Sequence, residues 1–213
     1  MIDIKNEKVT LNNKNNTEII FLDAKKEMGL DNVAIFGDYY FRDDNSRAEA
    51  YDAYNIRFNE KFLSIPDDEK QRVAYHELQH VLNQQEMWIG STAIWAFTFN
   101  KDFVDIHNRM NEFYKKNKEE GYPFDKKMYE LPPINYQELS DRSDSYDHYD
   151  ELLALLKGYE TYLRQKEAGI ETHTQPYEFI EAFIPDDLKL LDRNYREKIL
   201  NDIGKENISK LLS

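Results

Sequence analysis

Pro66-Asp67-Asp68-Glu69-Lys70-Gln71-Arg72-Val73-Ala74-Tyr75-His76-Glu77-Leu78-Gln79-His80 is the stretch on which the reading of this chain turns. A proline followed by acids marks a helix start. Proline loses nothing in the first turn, and carboxylates there meet the positive end of the helix dipole. The pattern predicts a helix from residue 67 to about 87. On it His76 and His80 stand four residues apart, one above the other on the same face. Two imidazoles at that spacing reach one metal ion, and zinc takes His nitrogen readily. Glu77 lies about 100° further round the helix. It therefore does not bind in line with the histidines but reaches a water beside the ion. In that arrangement the ion acidifies water and polarises a carbonyl, while Glu77 moves the proton as base and then acid.

The chain holds only 5 His, and a His-Glu-x-x-His run arises by chance in roughly one such sequence in a hundred. The five residues His76 to His80 resemble the active-site helix of the zincin metallopeptidases. The order of elements, helix, strands and then the motif helix, is similar to theirs as well. The resemblance implies a zinc ion, hydrolysis of a peptide or protein substrate, and a mainly helical α+β fold with a small sheet beside the motif helix. It also implies that the strand before the motif helix, expected over 55–63, lines the cleft and pairs with extended substrate.

A catalytic zinc takes three protein ligands and a water. Glu160 is the foremost candidate for the third. Leu152, Leu155, Leu156, Tyr159 and Leu163 form an apolar stripe on a helix over 149–166, and Glu160 falls on that stripe, where a lone carboxylate is costly to bury. A Glu from a later helix resembles the gluzincin branch of zincins, although Arg164 stands where that branch has an acid. His107, Glu86, Glu151 and Glu112 compete for the same role. Glu86 stands six residues after His80, where a metzincin has its third His. Asn83 replaces the turning Gly there, so the helix is expected to run on.

Composition sets the frame. The chain has 213 residues, 40% of them hydrophobic, and a formal net charge of -13. That suits one folded domain, here a core over about 17–170 with a C-terminal helical extension over 171–213. An acidic surface without a basic cluster disfavours nucleic acid as a partner. With 0 Cys, disulfides, thiolate zinc sites and a thiol nucleophile are excluded. No leader and no membrane-spanning stretch is read, and the cytoplasm is the expected location. Helices are further expected over 17–30 with Gly29 as the stop, over 91–116 and from Pro185. A strand is expected over 33–41, and mostly loop over 118–146. The acid-rich run Asp141 to Asp150 is read as a helix approach, not a calcium loop. A second reading keeps the zinc but not the catalysis, with the protein serving regulation or partner binding.

Overall fold

The sheet forms where the chain alternates. In Asn55–Phe58, Ile56 and Phe58 are buried while Asn55 and Arg57 look outward, the period-2 pattern of a half-covered strand. The structure is a computed structural model that describes residues 4–37, 47–86, 142–172, 185–198 and 201–202. Among them the chain is mixed α+β and mostly helical. Its elements run α1 (Ile4–Glu27), β1 (Ala34–Gly37), β2 (Ala48–Asp52), β3 (Asn55–Phe58), α2 (Glu60–Ser64), α3 (Asp67–Glu86), α4 (Arg142–Glu167) and a 3-10 helix (Pro185–Leu191). The contacts divide the chain into two units, Met1–Gln85 with Lys157–Gln175, and Glu86–Leu156 with Pro176–Ser213.

In the first unit the sheet has the order β1-β3-β2. β1 runs parallel to β3 and β2 antiparallel to it. The expectation of one strand over 55–63 is corrected here. The strand stops at Phe58, because the Asn59 side chain accepts hydrogen bonds from the N–H groups of Lys61 and Phe62 and caps α2. Phe58 and Phe62 thus share the core at helical rather than strand spacing, and with Phe21 of α1 they form a ring trio with centroids 5.3 to 6.2 Å apart. Each such ring contributes roughly 1.5–3 kcal/mol by burial.

α1 is longer than expected and runs through Asn12 to Asn16, which read as loop or frayed start. Asn costs up to roughly 0.7 kcal/mol in a helix, less than Gly, and the Asn16 side chain donates to Asp67 at the start of α3. The helix ends as predicted. Gly29 takes a φ of 69°, Leu30 N–H donates to Lys25 O and Gly29 N–H to Lys26 O, which is a Schellman cap. The expected strand over 33–41 is described as β1, and residues 38–41 lie outside the described residues.

In the second unit, Leu153, Ala154 and Leu156 of α4 are buried. Arg196 donates to the carbonyls of Leu190 and Leu191, closing the 3-10 helix. The expected helix from Pro185 begins as this 3-10 turn and continues as α-helix over 193–198. The expected helix over 91–116 and the irregular stretch up to 141 lie outside the described residues, whereas 142–146 belong to α4. No described helix is long and apolar enough to cross a membrane.

Candidate metal centre

α3 begins at Asp67 and carries Asp67, Asp68 and Glu69 in its first turn, as its sequence predicts. It runs 20 residues to Glu86 without the break after His80 that a Gly at position 83 would bring. It is buried on more than one side. Ala74, Leu78 and Val81 join the core of Phe21, Phe58 and Phe62, while Asp68, Arg72, Glu77, Gln79 and Asn83 are buried as well. A helix buried all round is ordinarily apolar, so each of these polar groups needs a partner. Gln79 donates to Asn83 at 2.7 Å. Asp68 accepts from Arg72 at 3.1 Å, and Arg72 also donates to Gln165 of α4 at 2.8 Å.

His76 and His80 are half-buried one turn apart. Their Nε2 atoms face each other at 3.1 Å, with ring centroids 4.8 Å apart and planes at 79°. Glu77 is 8% exposed, and its Oε2 accepts the backbone N–H of Ala50 at 2.8 Å. Ala50 stands in register with Ile56, but its N–H turns to the outer side of β2. Eight residues along α3, Gln85 Nε2 donates to Ala53 O at 2.7 Å, so the helix grips the β2–β3 hairpin at two points. Within the described sheet β3 is central and flanked on both sides. The expectation that this strand pairs with substrate is therefore corrected: both its edges are taken, and the outer edge nearest the motif belongs to β2.

α4 bears two acids of interest. Glu160 is half-buried and paired with Lys157 at 2.5 Å. It neighbours a cluster in which Tyr75 and Arg164 both donate to Glu27 and the Arg164 guanidinium lies 4.9 Å over the Tyr75 ring. Burial pushes the Glu27 carboxyl up, but the hydrogen bonds from Tyr75 and Arg164 and the nearby charges outweigh it and hold the pKa below the usual value. Burial and the same carboxylate push the Tyr75 hydroxyl up to about 12. Glu151, the other acid, is half-buried. Glu151, Gly158 and Gln165 follow at sevens and share one face of α4, drifting only about 20° per step. That face meets α3 in the first unit: a Cβ on Gly158 would lie 3.9 Å from the Arg72 carbonyl oxygen, and Gln165 donates to Asp68 O and to the Gln71 side chain.

The motif residues thus come together as the sequence predicts. His107 and Glu112 lie outside the described residues, and Glu86 is the last residue of α3. The apolar stripe that pointed to Glu160 is only part of the buried surface of α4, since Leu155 and Leu163 are half-buried while Thr161 and Gln165 are buried. Gly158 and Gln165, seven apart, mark the face that meets α3 in the first unit, a signal that apolar periodicity passes over. Comparison with protein-family models, with curated proteins and with solved structures returns no match.

Proposed function

We propose that this chain is a zinc-dependent peptidase of the zincin kind, with His76 and His80 holding the ion and Glu77 moving the proton. The observation that carries the reading is the pair of facing imidazole nitrogens, 3.1 Å apart, beside a buried carboxylate. Tetrahedral zinc with bonds of about 2.0–2.1 Å keeps two nitrogens about 3.3 Å apart. The pair therefore needs to open by only a fraction of an ångström.

For the third ligand, Glu160, the foremost sequence candidate, is paired with Lys157 at 2.5 Å, an ion pair that it gives up if it binds the metal.

A zinc ion, when bound, supplies a Lewis acid that polarises a carbonyl and acidifies water. Glu77 takes a proton from the attacking water and returns it to the leaving amine. Its burial keeps bulk water from competing for that carboxylate. The cysteine-free chain suits a reducing compartment such as the cytoplasm.

Paired variants test the reading against a mixture of quenched-fluorescent peptides. Glu77→Gln retains zinc and loses at least about 100-fold in kcat; His76→Ala loses zinc and cleavage together. Full activity in either variant refutes the mechanism. Stoichiometric zinc with no cleavage by the unaltered protein favours a zinc-binding regulator instead.

A further inference from the structure

We infer that the backbone N–H of Ala50, on the outer side of β2, is the positioning group for Glu77, an inference that rests on the peptidase reading above. Glu77 reaches its carboxylate through three rotatable bonds, and being one residue past His76 does not by itself fix where its oxygens lie. The hydrogen bond from Ala50 N–H to Oε2, 2.8 Å long, anchors one oxygen and so sets the place of the other. A misplacement of about 1 Å in a reacting group costs on the order of 100-fold in rate.

The donor is itself held. Ala50 pairs with Ile56 and Asp52 with Asn55, so Tyr51 is the extra residue of a bulge immediately after Ala50. Bulges of this kind re-aim the strand locally. Beyond it, Asp52 accepts from Tyr54 N–H at 2.8 Å and from Asn55 Nδ2 through both carboxylate oxygens, which locks the turn. Gln85 holds that turn to α3 through Ala53 O. The hairpin therefore meets α3 at two points of different character. One bears on Glu77, and the other, eight residues on, bears on docking alone.

Ala50→Pro separates the two. It deletes the N–H without removing a ladder bond, but it takes a bonded donor from the buried Glu77 carboxylate, so stability falls as well. Gln85→Ala removes the other clamp and leaves Glu77 untouched. In zinc-loaded protein assayed on the quenched-fluorescent peptide mixture, Ala50→Pro lowers kcat about 10- to 100-fold, with KM and zinc stoichiometry held and Tm lowered. Gln85→Ala lowers Tm and leaves kcat. Amide hydrogen exchange gives a second readout that needs no proline. In Glu77→Ala the Ala50 amide exchanges at least about tenfold faster, while the amides of β3 keep their protection. Wild-type kcat in Ala50→Pro, or unchanged Ala50 exchange in Glu77→Ala, overturns the inference while leaving the peptidase reading standing. A zinc-loaded wild type that cleaves no peptide overturns both.

Discussion

The two halves of α3 bury polar groups to opposite ends. In the N-terminal half, Asp68 and Arg72, with side chains 4% and 7% exposed, face each other and share Gln165 of α4. Charge meets countercharge there, and the Gln165 amide bonds to both residues. In the C-terminal half two chemically identical groups, the Nε2 atoms of His76 and His80, are brought to 3.1 Å, and Glu77 is held by a backbone N–H beside them. The first pairing serves the fold; the second, on the reading proposed above, serves a metal ion.

Three substitutions break or sharpen that contrast. Asp68→Ala leaves Arg72 buried without its carboxylate, which costs about 3–5 kcal/mol, read as a lowered midpoint in urea. Zinc binding by the surviving folded protein is unchanged. Loss of zinc at full stability in that variant would erase the distinction between the halves. Gly29→Ala touches neither half. It has open space around its Cβ but a φ of 69°, so left-handed strain alone costs about 1–2 kcal/mol, and thermal unfolding shows a modest drop with no change in metal binding.

The smallest effect belongs to Glu27, whose partners are Tyr75, next to the motif, and Arg164. Its folded pKa is lowered, so its stabilising contribution is present above the ordinary carboxylate pKa and is lost as pH falls through the lowered value. Glu27→Gln removes that part of the acid dependence. The unfolding midpoint of the variant, followed from pH 7 downward, falls less steeply than that of the wild type.

Much of the first unit was legible in the sequence because local chemistry decides it. Asp67 to Glu69 begin α3, Gly29 ends α1 with a left-handed turn, and the four-residue spacing of His76 and His80 places both rings on one face. The strand over 55–63 was half right. Ile56, Phe58 and Phe62 fit both periods, and only the Asn59 cap, a side-chain hydrogen bond, decides for a helix after Phe58. The sheet order was not legible, since β1 pairs with β3 across the intervening β2. For the same reason the grip of Ala50 on Glu77 could not be foreseen: it is a backbone group, and no side chain in the sequence signals it. Apolar periodicity marked Glu160 on α4, whereas the face that meets α3 in the first unit carries Gly158 and Gln165, neither of them apolar side chains.

The most direct test is titration of the metal-free protein with Co2+ as a spectroscopic stand-in for zinc. One equivalent per chain with the intense visible absorption of a four-coordinate site, abolished when His76 and His80 are both changed to Ala, is the result expected. The same stoichiometry and spectrum in that double variant, or no uptake at all by the wild type, would contradict the account.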